Sequence, residues 1–148
     1  MRLLCLLGVP LALAAAGPSV QAEYIGGTLP GVPARSSARL DLTSAGALVF
    51  RCGSAELQID YQRINEIEYG QNVSRRYAEA ILISPILLLS KSRKHFVTID
   101  YEDVEGREQA LVFRVNKGDI RTALAALEAR TGRRIEYQDE EARKSMRR

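Results

Sequence analysis

Apolar and polar residues alternate along several short stretches of this chain, and the alternation predicts a β-rich domain that begins near Ala38. A period of two runs through 38–42, 48–52 and 57–61, with turn residues between the runs. Three such strands with short connections predict an antiparallel meander. A fourth, less regular strand is expected to end at Gly70.

Two further strands are predicted in the second half of the chain, followed by a change of period. Strands at 95–101 and 111–115 flank a segment with the composition of a hairpin turn. Apolar residues at helical spacing then predict a helix over 117–131, which Asn116 and Asp119 would cap and Gly132 would end. A short strand at 134–138 would follow.

These patterns predict an α+β fold. We expect a meander or partly open barrel of about six or seven antiparallel strands, capped by one C-terminal amphipathic helix. All of it falls in a single domain over 38–138. The glycines and prolines of 23–37 favour a flexible leader without a central strand, and 139–148 is expected to be a charged, frayed tail.

The N-terminal residues 1–22 are typical of an export signal. Arg2 precedes an apolar stretch, and Val20-Gln21-Ala22 is a small-x-small cleavage site before Glu23. The sequence therefore predicts a periplasmic or secreted protein. Loss of Arg2 lowers the net charge from +3 to +2, which does not favour a nucleic-acid partner. Cys52 would be the one cysteine left, so an internal disulfide is not expected.

The apolar stretch 77–90 is the most unusual part of the sequence. Pro85 divides it, which predicts two short helical pieces at 74–83 and 85–90. Their apolar residues point in nearly all directions, so the pieces must be buried in something. The protein's own core, a homo-oligomer interface and a shallow insertion into a membrane surface all satisfy this need, and the basic flanks suit anionic lipid.

The contact surface predicted from this stretch and its flanks extends to residue 95. Its candidate residues are Arg75, Arg76, Ile86, Leu87, Leu88, Lys91, Arg93 and Lys94.

The sequence contains no strong constellation of catalytic or metal-binding residues. His95 is the one histidine, which excludes sites built on several histidines. It continues an apolar strand face, and this favours a partly buried strand-end histidine over a catalytic base. The acidic group at 100–105 departs from the EF-hand spacing and is interpreted as a solvated hairpin turn. No catalytic residue, cofactor site or metal site is assigned.

Three segments carry a resemblance to a known group of proteins. They are Ile59-Asp60-Tyr61-Gln62-Arg63-Ile64-Asn65-Glu66-Ile67-Glu68-Tyr69-Gly70, Lys91-Ser92-Arg93-Lys94-His95-Phe96-Val97-Thr98-Ile99 and Leu127-Glu128-Ala129-Arg130-Thr131-Gly132. The chain resembles small exported bacterial proteins of unassigned function over most of 38–138. Its element order is similar to that of pleckstrin-homology-like barrels, although the tryptophan usual in the terminal helix of that fold is lacking.

Two functions from different classes follow from the sequence. The favoured one is a non-enzymatic envelope module that binds a protein partner or a membrane surface through 77–95. The alternative is a small hydrolase or metal-dependent enzyme, whose residues would meet only in space near His95 and the acidic hairpin 100–105.

Overall fold

The computed structural model describes residues 17–74, 76 and 94–147. The first five strands are β1 (Ser19–Gly27), β2 (Ser36–Asp41), β3 (Ala47–Cys52), β4 (Ala55–Asp60) and β5 (Ile64–Gly70), with a 3-10 turn at Tyr61–Arg63 before the last. The remaining elements are β6 (His95–Glu102), β7 (Glu108–Val115), helix α1 (Ile120–Thr131), β8 (Ile135–Tyr137) and helix α2 (Glu140–Arg147).

The strands form one mixed sheet in the order β4-β3-β2-β1-β7-β6-β5-β8. All neighbours are antiparallel except β5 and β8, which are parallel. The α+β class and the antiparallel meander are thereby confirmed. Over the part of the chain that the structure describes, the sheet has eight strands, more than the six or seven expected, and it is not closed.

The sheet curls around a single main core. Phe50 on β3 and Phe113 on β7 are three strand spacings apart, or about 14 Å in a flat sheet. Their ring centroids nevertheless lie 5.4 Å apart, with the Tyr24 ring 5.5 Å from Phe50 and 6.1 Å from Phe113. Only a strongly bent sheet brings side chains of these strands together. The aromatic cluster therefore joins the half of the sheet that contains β3 to the half that contains β7.

Helix α1 covers this core with the face that the sequence predicted. Ile120, Ala123, Leu124 and Leu127 are buried, and the Gly132 N–H donates to Glu128 O at 2.9 Å, which ends the helix as expected. The start is different. The helix begins at Ile120 instead of 117, and Asp119, its N-cap, makes no side-chain capping bond. The first backbone N–H groups donate to Asn116 O instead.

The expectation of a flexible leader without a central strand is wrong over 23–27, because β1 lies between β2 and β7. The glycines were expected to disfavour a strand at this place, but they permit one. A Cβ on Gly27 would lie 2.4 Å from Ala110 O, so glycine lets β1 approach β7 closely. A bulge between Tyr24 and Gly26 then directs the Ile25 side chain toward Phe96 and Val112, with which it forms a second, smaller apolar cluster.

The C-terminal tail is also more ordered than expected, since 140–147 forms helix α2. Asp139 accepts the Ala142 N–H at 2.7 Å and so caps the helix. Ala142 is fully buried in the main core. Five of the other seven positions of the helix are charged, and the partly buried Met146 adds a second apolar contact with the core. The helical pieces expected at 74–83 and 85–90 lie outside the described residues, apart from Ser74 and Arg76.

Candidate functional site

A groove of about 920 Å³ opens beside His95. His95 stands at the start of β6, while Lys117 and Arg121 belong to the loop and first turn of α1. The opposite wall is α2, which contributes Lys144 and Ser145. Gln71, which follows β5, completes the lining. Four segments that are distant in the sequence therefore line one concavity.

The position of α2 follows from the parallel pairing of β8 with β5. Gln138, just after β8, donates its backbone N–H to Tyr69 O at 3.1 Å, and its side-chain amide donates to Glu68 Oε1 at 3.0 Å. Tyr137 meets the Tyr69 ring edge-on at 6.0 Å. These contacts hold α2 against the end of the sheet where β6 begins, so they build the second wall of the groove.

His95 is fixed by a chain of hydrogen bonds that runs from the groove into α2. Its Nδ1 lies 2.6 Å from Tyr69 Oη, which lies 3.1 Å from Ser145 Oγ, and that hydroxyl donates to Ala142 O at 2.7 Å. One arrangement of protons makes all three bonds. Ser145 donates to the carbonyl, Tyr69 donates to Ser145, and His95 Nδ1–H donates to Tyr69. The Nε2 atom of the neutral ring then keeps its lone pair.

The electrostatic surroundings favour that neutral ring. Burial, and then the positive charge of Lys117, lower the pKa of His95. Burial raises the pKa of Tyr69, which therefore stays protonated at neutral pH. The His95 and Tyr69 rings also stack with their centroids 5.9 Å apart. Because the Ser145 proton is committed to a carbonyl, this arrangement holds a hydrogen-bond acceptor in place and does not activate the serine as a nucleophile.

The rim of the groove carries an excess of positive charge. Lys117, Arg121 and Lys144 are exposed, against one exposed carboxylate, Glu141. Two of the three cations stand at the N-terminal end of α1, where the helix dipole is positive and favours acidic side chains. That unfavourable placement is the sequence signal by which these residues could have been found. These three cations were not predicted from the sequence as functional residues, and neither were Tyr69 and Ser145.

Two residues of the predicted contact surface fall within the described part of the chain. Arg76 pairs with Glu66 at 2.8 Å and with Asp100 at 3.6 Å, so it is tied back to β5 and β6. Lys94 is half-buried immediately before His95. The other members, Arg75, Ile86, Leu87, Leu88, Lys91 and Arg93, lie outside the described residues.

The acidic hairpin and His95 do not form one site. They lie at opposite ends of β6, whose seven steps span about 23 Å. Asp103 anchors the turn, since its carboxylate accepts the N–H groups of Glu105 and Arg107 at 2.9 and 3.0 Å and two side-chain donors besides. Within residues 17–74, 76 and 94–147, no group of three histidine, cysteine or acidic side chains is placed to hold a metal ion.

The turn should make stability depend on pH through Asp103. Hydrogen bonds, first that of the Arg107 backbone, lower its pKa from 3.8 to about 2. A carboxyl whose pKa is lowered by folding stabilises the fold above the pKa of the unfolded chain and loses that contribution as pH falls through the folded value. Asp103→Asn should therefore lower the urea midpoint near pH 6, and its difference from the wild type should shrink between about pH 4 and pH 2. A difference that stays constant over this range would contradict the assignment.

Neither a protein-family model nor a curated protein sequence matches this chain. The helices of the described residues are all too short or too polar to cross a membrane.

Proposed function

We propose that this protein is an exported, non-enzymatic interaction module that binds an acidic segment of a protein partner in the groove beside His95. The observation that carries the proposal is the gathering of Lys117, Arg121 and Lys144 around one concavity. Of the predicted contact segment 77–95, His95 lines this groove, whereas the three cations lie outside that segment.

The charges of the rim support an anionic ligand. Like charges held close together, next to the positive end of a helix, repel one another and destabilise the free protein. A bound carboxylate would relieve that repulsion. Because opposite charges across an interface mainly set specificity and the rate of association, the binding should weaken as salt is added.

The hydrogen-bonding groups of the groove support a peptide over a flat lipid surface. His95 Nε2 is an acceptor, and a peptide carries backbone N–H donors as well as acidic side chains. Ile120 and Met146 add apolar surface to the lining. A concavity of about 920 Å³ would receive a chain segment, whereas a bilayer would touch only its rim. Arg76, one of the cations expected to meet lipid, is paired with Glu66 and Asp100.

The curled antiparallel sheet and the helix on its core support the resemblance to a pleckstrin-homology-like barrel at the level of element order. The parallel strand β8 and the helix α2 are additions to that plan, and they are the elements that build the groove. Export rests on the predicted signal sequence. The rival enzyme has less support, because His95 and the acidic hairpin are separated along β6.

Charge reversal tests the proposal. The probe is a fluorescein-labelled peptide of alternating glutamate and leucine, titrated at low salt into the chain from Gly17 to Arg148. Because each substitution replaces an attraction by a repulsion, Arg121→Glu and Lys144→Glu should each weaken binding about tenfold or more. The matched control is Arg133→Glu, an exposed arginine beyond the opposite end of α1, which should change binding less than about twofold.

Three outcomes would contradict the proposal: no binding of the peptide, an equal loss in the control, or binding that is indifferent to salt. Anionic vesicles of phosphatidylglycerol form a separate arm of the experiment. Sedimentation of the protein with these vesicles, without peptide binding, would favour the membrane surface as the partner instead.

A further inference from the structure

Strand β1 runs through the cleavage site predicted from the sequence, which lies after Ala22. Ser19 pairs with Asp41, Val20 with Leu40, Gln21 with Arg39 and Ala22 with Ala38 on β2. Ala22 also pairs with Val115 on β7. Cutting after Ala22 would remove the first four residues of a strand that lies inside the sheet.

These residues are part of the core as well as of the sheet. Val20 is 3% exposed and belongs to the main apolar cluster. The Leu42 N–H donates to Pro18 O at 2.9 Å, which extends the pairing of β1 and β2 by one bond. Gly17 lies so close to the same residue that an added Cβ would be 1.9 Å from Leu42 O. Gly17 and Pro18 therefore already contact the fold ahead of β1.

A chain that starts at Glu23 would lose all of these contacts. The main core would open at Val20, the Leu42 N–H would lose its partner, and β2 would lack a neighbour along most of one edge. Exposed strand edges and apolar surface promote association with other chains. Cleavage of the export signal inside this central strand would therefore disrupt the fold of the exported protein.

A second small-x-small site removes the conflict. Ala14-Ala15-Ala16 directly precedes Gly17, and the apolar residues from Leu3 to Leu13 are enough for the hydrophobic region of a signal. Both sites fit the requirement for small residues, but only the upstream one leaves β1 whole.

We propose that the signal is cleaved between Ala16 and Gly17, and that the mature protein begins at Gly17. In this hydrolysis water adds across the amide bond, so Ala16 gains a carboxyl group and Gly17 a free amino group. The proposal rests on the proposed export of the protein. It moves the start of the mature chain six residues upstream of the site assigned from sequence.

The test is the N-terminus of the exported protein. The full chain is expressed in a bacterium with a C-terminal affinity tag, recovered from the envelope fraction, and examined by intact mass and N-terminal sequencing. We expect a single start at Gly17. A start at Glu23 would overturn the cleavage proposal and leave export standing, whereas an unprocessed chain confined to the cytosol would contradict export itself.

Two variants sharpen the test. Ala16→Leu places a large residue at the last position of the upstream site and should abolish processing at Gly17. Ala22→Val places a larger, β-branched residue at the last position of the downstream site and should leave the start at Gly17. A shift of the N-terminus caused by Ala22→Val, with no effect of Ala16→Leu, would overturn the proposal. Since these results are masses of the processed chain, they do not depend on how stably each variant folds.

Discussion

Replacing Phe113 by alanine should lower the free energy of unfolding by about 3–5 kcal/mol, the usual cost of truncating a fully buried phenylalanine. The side chain is fully buried, and its ring contacts those of Phe50 and Tyr24 where the two halves of the curled sheet meet. The surrounding strands are held by their hydrogen-bond ladders, so they cannot collapse freely into the cavity. The loss should therefore lie toward the upper part of that range.

The measurement is urea unfolding followed by far-ultraviolet circular dichroism, because the chain has no tryptophan to report the transition. Val104→Ala is the control. Val104 is 87% exposed on the hairpin, and its loss should change the free energy of unfolding by less than about 0.5 kcal/mol. Similar effects of the two substitutions would mean that the aromatic cluster does not join the halves of the sheet.

Shortening the N-terminus should have the second large effect. Relative to the chain from Gly17, a chain from Glu23 should lose about 3 kcal/mol or more. Burial of a valine such as Val20 contributes about 2 kcal/mol, and the hydrogen bond between Leu42 and Pro18 adds about 1 kcal/mol. The lost pairing of β1 with β2 adds to this, so the shortened protein should also be more prone to aggregate.

An intermediate chain from Ser19 separates these contributions. It keeps Val20 and the four pairs with β2 but loses the bond from Leu42, and it should be less stable than the Gly17 chain by only about 1 kcal/mol. Thermal and urea unfolding of the three chains give the series. Equal midpoints for the Gly17 and Glu23 chains would remove the physical reason for placing the cleavage site upstream.

The regular strands and α1 could be predicted because each carries its own signal. Alternation marks β3, β4, β6 and β7, and apolar residues at helical spacing mark α1. Strand β1 was not predicted because its alternating residues Val20 and Ala22 also fit a cleavage site, and because Gly26-Gly27 is typical of a loop. Which interpretation holds depends on the close approach of β7, a contact between residues far apart in the sequence.

The groove could not be predicted from the sequence for a related reason. Its walls depend on the parallel pairing of β8 with β5, which brings α2 to His95. Strand β8 is short, and its local sequence does not indicate which strand it pairs with. His95 was correctly expected to be a partly buried residue at a strand end, but its bond to Tyr69 joins residues that are 26 positions apart.

The central claim, that the groove beside His95 binds an acidic peptide, is tested most directly by mapping the contact on the protein itself. Backbone N–H resonances of the ¹⁵N-labelled chain from Gly17 are followed while the alternating glutamate and leucine peptide is added. We expect shifts to concentrate at His95, Gly118, Arg121 and Ser145, with the hairpin around Asp103 unchanged. Shifts that gather at the hairpin, or that scatter over the sheet and leave the groove unchanged, would contradict the claim.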